Sequence, residues 1–130
     1  MIWLTLLEKA EEDARAAANL QSTGTAATAL GGHRAVRLAA DGVRYADKDS
    51  SAAACVGITT GAVSLGAEVT FVTAGSMEEG SWTWSLGPVY LGADGLLTQT
   101  PPSSGVVLQV AYALSATVLN VAIRQPIQLI

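Results

Sequence analysis

Charge is what this sequence has least of. Only 14% of its 130 residues are Asp, Glu, Lys or Arg, against about 25% in an ordinary soluble domain. Basic residues are scarcest: seven Lys and Arg stand against eleven Asp and Glu, for a net charge of -4 and a pI near 4.7. A nucleic-acid-binding module needs a basic face for its phosphate contacts, so this balance argues against that class of partner. Cysteine is almost absent. Cys55 alone excludes an internal disulfide, and its apolar setting after Ala52-Ala53-Ala54 reads as a buried, inert thiol. His33 is the only histidine, so nucleophilic catalysis would have one base to draw on. No His/Cys cluster has zinc spacing, and no metal or cofactor is expected.

Long apolar runs are missing as well. A membrane-spanning helix needs about 18–20 nearly continuous apolar residues. The C-terminal apolar segments are broken by Gln109, Ser115, Thr117, Asn120, Arg124 and Pro126. The opening Ile2-Trp3-Leu4-Thr5-Leu6-Leu7 has no basic residue before it and is interrupted by Glu8 and Lys9. It does not read as a signal peptide, and no membrane insertion is expected. Half of the sequence is nevertheless hydrophobic, too much for intrinsic disorder.

The distribution of charge says more than its total. Residues 1–50 carry thirteen of the eighteen charges, and residues 81–130 carry only Asp94 and Arg124. Fifty residues with two charges cover water-facing surface poorly, so packing between copies or under a partner is expected.

Residues 3–20 have helical spacing. Trp3, Leu6, Leu7, Ala10, Ala14, Ala17 and Ala18 fall at three- and four-residue intervals. Glu8, Glu11, Glu12 and Asp13 lie in the first half, where the helix dipole favours acids. The stripe is narrow and alanine-rich, which suits docking on a partner or on copies of itself. Residues 21–32, small and polar and closed by Gly31-Gly32, read as a linker. The expected organisation is an N-terminal helix and linker over 1–32 and a β domain over 33–130.

From residue 33 the period becomes two. His33–Leu38 and Val43–Ala46 flank Asp41-Gly42, a strong hairpin signal. Strands are expected at Cys55–Thr60, Ala67–Thr73, Trp82–Trp84 and Pro88–Leu91. Asp94-Gly95 gives a second hairpin into Leu96–Gln99. Val106–Leu114, Val118–Ile123 and Ile127–Ile130 complete the series. Short strands separated by Gly and Pro turns every eight to twelve residues indicate an antiparallel barrel or sandwich, mainly β, preceded by one α-helix.

Few constellations could carry chemistry. His33 reads as an ordinary strand-end histidine. Asp47-Lys48-Asp49 has alternating oxygen ligands but lacks the Gly and distal Glu of a calcium loop, so a solvated turn is the better reading. Gly61 and Gly66 read as turn glycines, with no phosphate-loop Lys-Ser/Thr after them. Glu78-Glu79 beside Trp82 could suggest sugar cleavage, but adjacent residues of an extended chain point to opposite faces. No enzymatic activity is expected. Trp82 and Trp84 share one face if that segment is a strand. They read foremost as a core or subunit-interface pair, and alternatively, with Tyr90, as a receptor- or glycan-binding surface.

Several segments together carry a family pattern: Gly57-Ile58-Thr59-Thr60-Gly61-Ala62, the run over 69–75, Ser81-Trp82-Thr83-Trp84, the run over 87–105, and the run over 113–121. This composite resembles small β-rich modules of tailed-bacteriophage and prophage virion proteins, found in tail fibres, baseplates and head decorations. The resemblance covers about residues 33–130 and has no catalytic signature. It implies a structural protein of the virion, often trimeric, without fixing its position there; the tail is expected in preference to the capsid, with synthesis in the host cytoplasm. Its partners would be copies of itself, other virion proteins and possible host receptors. Residues 3–20 would then serve as an attachment or trimerisation helix.

Overall fold

The computed structural model describes residues 19–49 and 52–129. The chain is mainly β, an antiparallel sheet curled into a half-barrel. The expected helix residues Trp3, Leu6, Leu7, Ala10 and Ala14 lie outside the described residues. The end of that expected helix is corrected, because Asn19 and Leu20 open strand β1 (Asn19–Thr25). The linker over 21–32 is corrected too. β1 pairs antiparallel with β5 (Glu68–Glu78) from Asn19↔Gly75 to Thr25↔Glu68. Beyond it, Leu30 and Val63 exchange backbone hydrogen bonds of 3.0 and 2.8 Å. Ala26 and Leu30 are buried. A small, polar composition resembles a linker until an edge of β5 supplies partners for its backbone; the ladder then overrides composition.

β2 (Ala35–Ala39) and β3 (Gly42–Tyr45) form the expected first hairpin. Its two-residue loop is Ala40-Asp41, with Gly42 at φ +134° as the first residue of the return strand. A bidentate Arg44–Asp41 contact spans this hairpin, with Nη2 donating to Oδ2 at 2.6 Å. It is solvent-exposed and contributes little. β4 (Cys55–Thr59) pairs with β2 and β5. β6 (Gly87–Leu91) and β7 (Leu97–Thr98) form the second hairpin around Asp94-Gly95. Asp94 (φ 51°) and Gly95 (φ +73°) both lie in the left-handed region, as a tight primed turn requires. β8 (Val106–Val107) pairs with β11 (Ile127–Gln128) in a separate two-stranded sheet. β9 (Gln109–Ala113) and β10 (Val118–Ala122) complete the large sheet, whose order runs β3-β2-β4-β5-β10-β9-β6-β7 with β1 also on β5. Just past β1, Ala26 bridges Val43 of β3 in parallel, and Ala27 N–H donates to Val43 O at 2.9 Å.

The core has two parts. The larger gathers Ile58, Val72, Met77, Val89, Leu91, Leu108, Val110, Leu119 and Val121 with several alanines. The smaller holds Ala26, Leu30, Val36, Val43, Val69 and Phe71. Adjacent residues Ala35 and Val36 divide between the two clusters, as do Phe71 and Val72. At these positions β2 and β5 are buried on both faces, which accounts for apolar neighbours where one-sided burial would give strict alternation.

The loop at Asp47 ties the two hairpins together. Its carboxylate accepts the backbone N–H of Asp94 at 2.7 Å and that of Asp49 at 3.0 Å. Lys48 N–H donates to Gly92 O, and Val106 N–H donates to Lys48 O. Partial burial pushes the Asp47 carboxyl up, but these N–H donors and the Lys48 charge outweigh it and hold it below the usual 3.8. A carboxylate with a lowered folded pKa contributes stability above its unfolded pKa and loses it as pH falls through the folded value. Asp47→Asn should therefore be less stable than wild type at neutral pH, with the gap narrowing below about pH 4. Urea unfolding across pH 2–7 (a window chosen around that pKa) checks this; a gap that does not change with pH would refute it.

Candidate functional site

Trp82 and Trp84 lie in the loop between β5 and β6, not on a strand. The strand expected at 82–84 is corrected because the backbone here bonds in turns. Trp82 N–H donates to Glu79 O at 3.1 Å, Glu79 N–H donates to Thr117 O at 3.0 Å, and Trp84 N–H donates to Ala116 O at 2.9 Å. The side-chain amide of Gln99 closes the loop's far end, accepting from Ser85 N–H and donating to Ser85 O. The indoles are half-buried against the larger core. Their centroids are 5.8 Å apart and their planes 54° apart, which is a packed pair rather than a coplanar platform. Trp84 Nε1 is buried with no hydrogen-bond partner among the described residues. Tyr90 sits elsewhere, on β6 opposite Thr98 of β7 and Gln109 of β9.

The structure adds a residue to this group that sequence reasoning set aside. The His33 ring stands edge-on to Trp82 at 5.2 Å, with Nε2 3.5 Å from Glu79 Oε2. His33 holds φ +56°, a left-handed conformation that costs a non-glycine residue about 1–2 kcal/mol. Its surroundings enforce it. His33 N–H donates to Thr59 O at 2.9 Å. Thr59 Oγ1 donates to Gly31 O at 2.7 Å and accepts from Arg34 N–H at 3.0 Å. Gly31 N–H donates to the Tyr45 hydroxyl at 2.7 Å, and the Arg34 guanidinium lies over the Tyr45 ring. Nothing local in the sequence marks His33, because the residues that hold it come from 45, 59, 79 and 82.

A polar cleft of about 190 Å³ opens beside His33, lined also by Asn19, Gln21, Thr60, Ser76 and Glu78. Asn19 Nδ2 donates to Ser76 O at 2.7 Å. Glu78 lines this cleft, and Glu79 reaches His33 at its wall. Among the described residues, no three His, Cys, Asp or Glu side chains come together as metal ligands. A larger cleft of about 360 Å³ is mainly apolar, with Cys55, Val106, Leu108 and Ile123 in its lining and Arg124 as its one charged side chain. Burial pushes the Cys55 thiol up to about 11, which leaves it unreactive at neutral pH.

No family model, curated protein or solved structure matches this chain. Among the described residues, no helix is long and apolar enough to cross a membrane.

Proposed function

We propose that this protein is a structural subunit of a tailed-bacteriophage virion, a tail-fibre or baseplate component that assembles with copies of itself, a trimer being favoured. The observation that carries the assembly reading is one exposed face of the large sheet. Across it, Pro88, Tyr112, Asn120 and Ser76 pair in a continuous row through β6, β9, β10 and β5. Two residues beyond Pro88↔Tyr112, Leu86 and Leu114 are 73% and 55% exposed, and Tyr112 itself is 45% exposed. None of these six residues is charged. The charged side chain beside this row is Glu78, which pairs with Val118 at the β5 margin; a contiguous face with bulky apolar groups and so little charge is characteristic of surfaces covered by another protein. The virion setting rests on the resemblance carried by residues 33–130. The N-terminal stripe of Trp3, Leu6, Leu7, Ala10 and Ala14 is proposed as the attachment or oligomerisation helix of that subunit. A place on the capsid, as a decoration or head fibre, is the alternative location, and a label on intact particles separates the two.

The mass of the purified protein in solution tests the assembly. An integer multiple of the 13.3 kDa chain is expected by light scattering, and Tyr112→Glu, which places a charge on the face, should shift it toward the monomer. A folded wild-type monomer at micromolar concentration would overturn the proposal.

A further inference from the structure

We propose that the polar cleft beside His33 is a binding site for a neutral saccharide ring. Four separate parts of the chain supply its lining: Asn19 and Gln21 from β1, His33 from the turn before β2, Thr60 after β4, and Ser76 and Glu78 from β5, with Val72 and Met77 of β5 as its apolar members. The residue types match one ligand chemistry. Side-chain amides and hydroxyls both donate and accept, which suits hydroxyl groups that do the same. A carboxylate accepts from two neighbouring hydroxyls at once, and Glu78 is the acceptor placed for that role. No Lys or Arg lines the cleft, so an anion such as phosphate or sulfate finds no counter-charge. A bare divalent cation is also disfavoured, since no cluster of three ligating side chains occurs among the described residues.

The site is partly organised already. Asn19 is held by its bond to Ser76 O, and Gln21 Nε2 reaches Asn19 Oδ1 at 3.3 Å. Thr60 Oγ1 donates to Thr70 O at 3.3 Å, which leaves its oxygen lone pairs to accept. His33 is fixed in its left-handed conformation, with its ring edge-on to Trp82. A strained residue retained at the wall of a polar cleft is a common mark of a binding site. The cleft volume, about 190 Å³, suits one sugar ring rather than a chain. Ser76 also ends the uncharged row on the sheet, so the cleft lies at the β5 margin of the proposed subunit contact.

Ligand-observed saturation-transfer NMR on the full chain tests the site, with D-glucose, D-galactose, N-acetyl-D-glucosamine and L-rhamnose as probes. At least one probe is expected to show transfer in the wild type. Glu78→Gln combined with Gln21→Ala should weaken its binding about tenfold or more, the loss of hydrogen bonds to a charged acceptor and an amide. Both positions are exposed, and circular dichroism is expected to show an unchanged fold. Absence of transfer with all four sugars, or transfer of equal strength in the folded double variant, would overturn the proposal. Either result leaves the assembly reading untouched, since that reading is decided by mass.

Discussion

Gly95→Ala is expected to lower the unfolding free energy by about 2–5 kcal/mol. Two costs combine. Gly95 holds φ +73°, where an L side chain costs about 1–2 kcal/mol. A Cβ at this position would also stand 2.5 Å from Ala35 O and 2.8 Å from Tyr45 Cδ1, an overpacking of the kind that costs about 1–3 kcal/mol. Neither neighbour yields easily. Ala35 O already accepts from Ala46 N–H at 3.0 Å, and Tyr45 is engaged by Gly31 N–H and Arg34. The turn cannot retreat, because Asp47 holds Asp94 N–H and Arg34 Nη1 donates to Asp94 O at 3.0 Å. Urea unfolding followed by tryptophan fluorescence measures the effect, at one protein concentration because assembly would couple to stability. Gly61→Ala is the control: a Cβ there meets nothing within 4 Å, and a change within about 0.5 kcal/mol is expected. A similarly small change for Gly95→Ala would show that the second hairpin docks more loosely than described.

Thr59→Val is expected to cost about 2–6 kcal/mol. Thr59 is the buried polar side chain of the described core, at 0% exposure. Its hydroxyl serves both Gly31 O and Arg34 N–H. Valine keeps the shape but strands one acceptor and one donor, each at a desolvation cost of about 1–3 kcal/mol. Thr59→Ser retains the hydroxyl and loses one methyl, for about 1 kcal/mol. The difference between the two variants isolates the hydrogen bonds from the packing. If valine proved no worse than serine, the hydroxyl would not be what holds residues 31–34. Because those residues include His33, Thr59→Val should also disturb the wall of the polar cleft, whereas Thr59→Ser should not.

Much of the β domain was legible in the sequence. Both hairpins form, the first turning at Ala40-Asp41 with Gly42 opening the return strand, since turn chemistry acts over a few residues and needs no distant partner. The strands over 55–59, 87–91 and 118–122 likewise follow from local alternation between turn residues. Three features were not legible. β1 has no apolar alternation; Leu20 is exposed, and the strand exists because β5 is long enough to hold it, an arrangement set at a separation of about fifty residues. The double-sided burial of β2 and β5 depends on where the sheet curls. The candidate cleft draws on residues 19, 21, 33, 60, 76 and 78, which no short motif unites. Trp82 and Trp84, conspicuous in the sequence, mattered in another way: both pack on the core, and Trp82 stands edge-on to His33.

The sequence by itself determined a mainly-β chain, through its period of two and its turn residues, and a stretch over 81–130 that carries only Asp94 and Arg124. Composition and period decide such properties because each residue contributes separately to solvation and to local conformation. The tertiary structure decided which part of that charge-poor stretch faces outward. It gathered Leu86, Leu114, Tyr112 and Asn120 on one face of the sheet, and it carried His33 to Trp82 and Glu79. Those outcomes depend on strand register and on the curl of the sheet, where one residue's slip would send every side chain to the opposite face.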